Sequence, residues 1–160
     1  MKLFNFKKKK TVATPCLGEV IPLSLVEDGV FSEGILGDGF AVRPSEGTFY
    51  APISARIDGI HESGHAYTLL GDDGIELLIH IGLDTVELKN GVFSPQASVG
   101  QRVERGTLLA KADIQKIKEM GYDSVTMVVV SNSEKIKISN VKFGRYESNT
   151  DIMTYEIKGH

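Results

Sequence analysis

From Thr11 onward the apolar residues fall into short runs, each broken within a few positions by Gly, Pro, Asp or Asn. Runs of that length, rich in Val, Ile, Leu and Tyr and bounded by turn formers, read as strands. The pattern predicts strands at Gly18–Ile21, Gly39–Arg43, Thr48–Tyr50, Ala55–Ile60, Ala66–Leu70, Ile75–Ile81, Val103–Thr107 running on into Leu108–Ala112, Thr126–Val130 and Ile136–Ser139. One patch has helical spacing: Ile114, Ile117 and Met120 follow Asp113, a capping residue, and Gly121 ends the run. Lys142–His160 keeps alternation in Met153, Tyr155 and Ile157, which predicts a last edge strand and a frayed end. The expected fold is all-β, a distorted barrel or sandwich with one or two short helical turns.

The most informative pair of runs is joined by Gly71-Asp72-Asp73-Gly74 and reads as a β-hairpin. A two-residue Asp72-Asp73 loop sets His65 directly opposite His80, and an Asp73-Gly74 loop makes them diagonal neighbours on one face. A three-residue loop would send them to opposite faces. In either two-residue register, alternation sends Ile75, Leu77, Ile79 and Ile81 to the core and places Tyr67 and Leu78 beside the histidines. Asp72 and Asp73 themselves read as turn chemistry.

Length and charge narrow the classes. The chain has 160 residues, enough for one well-buried core, and ordinary hydrophobic (41%) and charged (24%) fractions argue against disorder. No apolar run approaches the roughly 20 residues that span a bilayer. Residues 1–10 hold five lysines and no acid, so residues 11–160 are more acidic than the net charge of −3 suggests. The expected division is a flexible basic leader, 1–12, and a single domain, 13–160. An acidic body argues against nucleic acid and for a basic protein partner. Met1–Lys10, with Leu3, Phe4 and Phe6 beside the lysines, offers a weak contact to anionic lipid, the alternative being a solvated leader. Cys16 is the single cysteine and no secretory signal is present, which fits the cytoplasm; Cys16 itself reads as a small buried apolar residue.

Two imidazoles on an apolar face support three readings. One ring can be a nucleophile while the other donates an N–H to a transferring phosphoryl group. The pair can contribute to a zinc site, with His65 and His80 as two of four ligands. Both can simply bond to neighbouring strands. Spacing does not separate these.

The stretch His80-Ile81-Gly82-Leu83-Asp84-Thr85-Val86-Glu87-Leu88-Lys89-Asn90-Gly91 resembles the phosphorylation-site motif of glucose-family IIA proteins of the bacterial sugar phosphotransferase system. Three further stretches match in order: Pro15–Phe31, Gly37–Pro44 and Val99–Val103 with Gly106, so the similarity covers about Thr14 to Asn140. It implies a barrel-sandwich hybrid fold and a phosphocarrier that takes a phosphoryl group from phospho-HPr and passes it to a IIB component of a IIB/IIC sugar permease, with no cofactor. His80 would be the phosphoryl acceptor, His65 the neighbour that supports the phosphorylated state, and Ser63 the hydroxyl that orients His65. Asp28 and Asp84 match acids that meet the donor, and Val30, Phe31, Leu36, Leu78 and Val86 match the apolar ring that docks partners. Two positions depart from the family pattern: His61 replaces a usual phenylalanine, and Gly64 precedes His65.

Two other classes remain at this stage. A zinc hydrolase of the lysostaphin type has a related barrel but needs a His-x-His pair, and Ile81 and Gly82 follow His80. A regulator would use the same face to bind transporters or kinases according to its phosphorylation state.

Overall fold

The computed structural model describes residues 10–88 and 91–158. Strand order follows from burial of one continuous apolar core. β1 (Lys10–Ala13), β2 (Gly18–Pro22), β3 (Asp38–Pro44), β4 (Thr48–Tyr50), β5 (Ala55–Ile60), β6 (Ala66–Gly71) and β7 (Glu76–Ile81) form the first half. β8 (Phe93–Pro95), β9 (Arg102–Val103), β10 (Leu108–Ala112), α1 (Ile114–Glu119), β11 (Thr126–Val130), β12 (Ile136–Val141), β13 (Gly144–Tyr146) and β14 (Asp151–Ile157) complete it.

The main sheet has eight strands in the order β13-β2-β3-β11-β7-β6-β5-β9, and its two ends do not meet. Two three-stranded sheets, β1-β14-β12 and β4-β10-β8, contribute to the core that covers one face of it. Alternate positions of β7, Leu77, Ile79 and Ile81, point into that core beside Phe49, Leu109 and Met153. The opposite face of the central strands carries a smaller apolar cluster of Ile21, Leu23, Val26, Phe31, Ala41, Val125, Met127 and Val129. β11 lies between the two clusters, so every residue from Thr126 to Val130 is buried and its sequence is a continuous apolar run instead of an alternating one.

The all-β expectation holds, and the architecture is an open sandwich with one α-helix of six residues and three 3₁₀ turns among the described residues. Asp113 caps α1 by accepting the Lys116 N–H at 3.0 Å, as its position predicts. The predicted run from Val103 to Ala112 is two strands, because a turn closed by Thr107 N–H to Glu104 O (3.0 Å) separates β9 from β10.

Three details differ from the sequence reading. Residues 10–12, assigned to the leader, form β1 and pair with β14, from Lys10↔Tyr155 onward. β14 is consequently the middle strand of its sheet and not an edge, with β1 on one side and β12 on the other. The proposed lipid contact through residues 1–10 falls almost wholly on residues 1–9, which lie outside the described residues. The third difference is the β6–β7 register: Ala66 pairs with His80 and Tyr67 with Ile79, so the loop has three residues, Asp72-Asp73-Gly74. Gly71 N–H donates to Ile75 O (2.7 Å), Gly74 N–H donates to Gly71 O (3.0 Å), and Gly74 takes φ +100°. Tyr67 therefore lies in the core with Ile79 and not beside the histidines.

Asp73 explains why the loop closes this way. Its carboxylate accepts the Ile75 N–H (3.2 Å), the Tyr155 hydroxyl (2.6 Å) and the Lys10 ammonium (3.1 Å), joining the hairpin to β1 and β14. Burial pushes the Asp73 carboxyl up, but these donors outweigh it and hold it below its ordinary value. A carboxylate so held stabilises the fold above its unfolded pKa and loses that contribution as pH falls through the lower folded value. Asp73→Asn should cost on the order of 1–2 kcal/mol at neutral pH. It should also flatten the acid limb below about pH 4, measured as urea midpoints at neutral and acid pH. An unchanged acid limb would remove Asp73 as the anchor.

Candidate functional site: paired imidazoles on the outer face of β7

His80 sits on β7 with its side chain on the face of the smaller cluster, half-buried, its ring 5.1 Å from the Phe31 ring. The chain turns immediately after β7 at Gly82, whose φ of +85° suits glycine. A Cβ there would meet Thr85 Cγ2 at 2.3 Å, so the position is closed to side chains. This turn brings the Gly82 carbonyl to 2.8 Å from His80 Nδ1. A carbonyl only accepts, so Nδ1 carries the proton, and in the neutral ring Nε2 keeps its lone pair. Burial pushes the His80 pKa down, while the Gly82 carbonyl and the carboxylates of Asp28 and Asp84 oppose the shift and His61 adds to it. The neutral ring is favoured, with a free nitrogen.

His65 immediately precedes β6, and its N-terminal position matters. In the observed register its backbone is opposite Ile81, whose N–H donates to His65 O at 2.7 Å. Strict alternation would then point its side chain into the core, the outcome anticipated for a three-residue loop. Instead the His65 and His80 rings approach edge-on, with centroids 4.6 Å apart and planes at 81°. The bend before β6 accounts for this. Gly64 takes φ +84°, and a turn closed by Gly64 N–H to His61 O (2.8 Å) swings the chain so that His65 is not bound by the strand's alternation. The glycine that departs from the family pattern lies packed against Phe93 and Pro95, leaving no room for strain-free replacement.

His65 is 3% exposed and lies 6.1 Å from the Phe93 ring. Burial first, then His80 and His61, push its pKa down to about 4. Its Nδ1 contacts the Ser63 hydroxyl at short range. Ser63 therefore lies directly behind His65. The third imidazole, His61, is exposed but stacks edge-on against His65 at 4.6 Å. Phe93, Gly82 and Met127, which pairs with His80 across β11, complete the surroundings; none carries a polar signal that sequence reading could have singled out.

The surrounding rim divides into two kinds of residue. Val30, Leu36 and Val86 expose 42%, 41% and 46% of their surface. Phe31 and Leu78 do not share that exposure: Phe31 is buried against His80, and Leu78 packs half-buried on the smaller cluster. Asp28 has a structural duty as well, since its carboxylate accepts the N–H groups of Val30, Phe31 and Ser32 at 3.0–3.2 Å. That turn holds Phe31 under the His80 ring. Asp84 occupies a left-handed turn (φ +59°) on the far side. Both carboxylates are exposed and both act on His80.

Among the described residues no group of three or more His, Cys, Asp or Glu side chains is arranged to hold a metal ion. A zinc ion at His65 and His80 would need its remaining ligands from elsewhere. Burial pushes the Cys16 thiol far up, so it is not a thiolate nucleophile. No helix among the described residues is long and apolar enough to cross a membrane.

Residues 10–136 match the family described as phosphoenolpyruvate-dependent sugar phosphotransferase system, EIIA 1. The chain is 41% identical over 134 residues to a β-glucoside-specific EIIBCA component of Bacillus subtilis (strain 168), covering 84% of this chain and 22% of that protein. It is 37% identical over 141 residues to a glucose-specific EIICBA component of Streptococcus pneumoniae, covering 88% and 19%. The chain thus spans about a fifth of the length of these relatives. Among solved structures it is similar to the glucose permease IIA from Mycoplasma capricolum, with a TM-score of 0.87, 32% identity, and coverage of 95% of this chain and 99% of that one.

The geometry sets a titration experiment. A buried histidine that must gain charge stabilises the fold least where it is protonated, so stability should decline as pH falls from 6.5 toward 4. Ring resonances followed by NMR should show His65 neutral down to about pH 4, and His65→Gln should lose less stability than wild type over that window. A His65 that titrates near 6.5 would contradict the burial described here.

Proposed function

Because the chain belongs to the EIIA 1 family of the phosphoenolpyruvate-dependent sugar phosphotransferase system, we propose that it is a cytoplasmic phosphocarrier that accepts a phosphoryl group on His80. The donor is the phosphohistidine of HPr and the acceptor a IIB component of a sugar permease. The observation that carries this reading is the hydrogen bond from His80 Nδ1–H to Gly82 O, which leaves Nε2 as the nucleophilic nitrogen.

In the forward step the Nε2 lone pair attacks phosphorus, the P–N bond of the donor breaks, and its electron pair returns to the donor imidazole. His80 gains positive character while the phosphoryl group is attached, and the Gly82 carbonyl supports that charge through Nδ1–H. His65, neutral and buried beside it, donates Nε2–H to a phosphoryl oxygen when its Nδ1 accepts the Ser63 hydroxyl. Onward transfer reverses the order: an acceptor thiolate attacks phosphorus and the N–P pair returns to Nε2. No group needs to move far, since both rings are held by backbone or side-chain bonds before any partner arrives.

Partner recognition follows from the rim. Exposed Val30, Leu36 and Val86 offer apolar contact, and Asp28 and Asp84 favour a donor whose phosphohistidine is flanked by basic residues. The relatives named for β-glucosides and for glucose share a domain like this one, so the sugar is chosen outside it. The chemistry requires no metal or cofactor.

Incubation with phosphoenolpyruvate, enzyme I and HPr should add one acid-labile phosphoryl group by intact mass, and His80→Ala should abolish it. His65→Ala should still accept phosphate but pass it to a IIB domain about 10²-fold more slowly, the typical cost of losing one positioned donor. A phosphorylated His80→Ala protein would sink the assignment of the acceptor.

A further inference from the structure

Ser63 has a histidine on each side, and a single hydroxyl proton to give. Its Oγ lies 3.1 Å from His61 Nδ1 and closer still to His65 Nδ1. The Ser63 backbone N–H also points at His61 Nδ1, at 3.1 Å. An imidazole nitrogen has one lone pair in the ring plane, and the backbone N–H cannot rotate toward another acceptor whereas the hydroxyl can. His61 Nδ1 is therefore occupied by the N–H, and the hydroxyl proton goes to His65.

The consequence reaches His80. If the Ser63 hydroxyl donates to His65 Nδ1, the proton of neutral His65 is on Nε2, where it meets a phosphoryl oxygen. If the hydroxyl turned to another acceptor, its oxygen would instead accept from His65 Nδ1–H, and a lone pair would face the anionic group. The edge-on contact of the His61 and His65 rings, 4.6 Å between centroids, keeps the three side chains in one row.

We propose that His61 is a positioning residue of the phosphoryl site: by accepting the Ser63 backbone N–H it fixes the turn that holds the Ser63 hydroxyl against His65, and so keeps His65 in its Nε2–H tautomer. This rests on the phosphocarrier reading for its purpose, but its geometry is testable without any phosphoryl donor. His65 stays neutral at working pH because burial pushes its pKa down to about 4, so the choice of tautomer, not of charge, is what His61 decides. Asparagine offers an acceptor oxygen at the place of Nδ1, and alanine offers none.

The test is ¹⁵N NMR of the ring nitrogens of the full chain, with His61→Ala and His61→Asn, before any phosphorylation. Wild type should show His65 as Nε2–H; the alanine variant, with the Ser63 turn released and its hydroxyl free to turn to solvent, should show a raised Nδ1–H fraction, and the asparagine variant, which can again accept the Ser63 N–H, should return it toward wild type. His80 should remain Nδ1–H in all three, which certifies that the fold around the site is intact. Onward phosphoryl transfer should fall about threefold to tenfold in the alanine variant, as for loss of one hydrogen bond's bias, with asparagine restoring it. A His65 tautomer identical in wild type and His61→Ala, or a wild-type His65 carrying its proton on Nδ1, overturns the proposal. Failure of phosphorylation in every protein with normal tautomers would instead overturn the phosphocarrier reading and leave this geometry standing.

Discussion

The carbonyl of Gly82 decides which nitrogen of His80 is free, and the rest of the site is arranged around that decision. A histidine on a strand can rotate and can move its proton between nitrogens; here the donation from Nδ1 at 2.8 Å removes both freedoms. The bond exists because β7 stops where a residue with positive φ is required, and because the Thr85 side chain closes the space that any Cβ at Gly82 would need. Thr85 is itself fixed, fully buried, with its hydroxyl donating to Ile81 O. A backbone turn thus performs work that other sites assign to a second carboxylate, and it does so without adding a charge of its own.

Neutrality runs through the remaining contacts. His65 is surrounded by His80, His61, Ser63 and Phe93, none of which is an anion, so desolvation dominates and the ring stays uncharged. The two carboxylates that act on the site, Asp28 and Asp84, are exposed and lie at its margin. Placed there they give the margin a negative field that favours basic groups, and they raise the His80 pKa against the desolvation that lowers it. Asp28 has a further task, since three backbone N–H groups end on it, and the turn it organises presses Phe31 against the face of His80. One acidic side chain therefore supplies both field and form.

Much of this was legible in the linear sequence, and the exceptions share a cause. Strands with compact apolar runs and clear turn residues, such as β3, β5 and β11, stand where the pattern predicts them, and Asp113 and Gly121 bracket the helix. β8 contains a proline in three residues, β13 is equally short, and β1 begins at the end of a lysine run, so their strand character comes from the neighbours they pair with. The β6–β7 register was missed because it depends on Asp73 binding Tyr155, which is distant in sequence. That the histidines nevertheless meet is due to Gly64, which frees His65 from strand geometry before pairing begins. The resemblance of the motif around His80 pointed to the paired imidazoles; it did not reveal that Phe31 forms a wall under the ring instead of an exposed contact.

The three-stranded sheet of β1, β14 and β12 has a topological consequence. Lys10 and Tyr155 lie side by side, so both ends of the described chain emerge from one patch of the molecule. That patch is tied through Asp73 to the tip of the β6–β7 hairpin, while the imidazoles sit at its opposite end, roughly 20 Å of strand away. A cable anchored at one pole of a globe leaves the other pole free to face in any direction. Linkage to another polypeptide, through either end, would raise the local concentration of this domain without draping chain across the imidazoles.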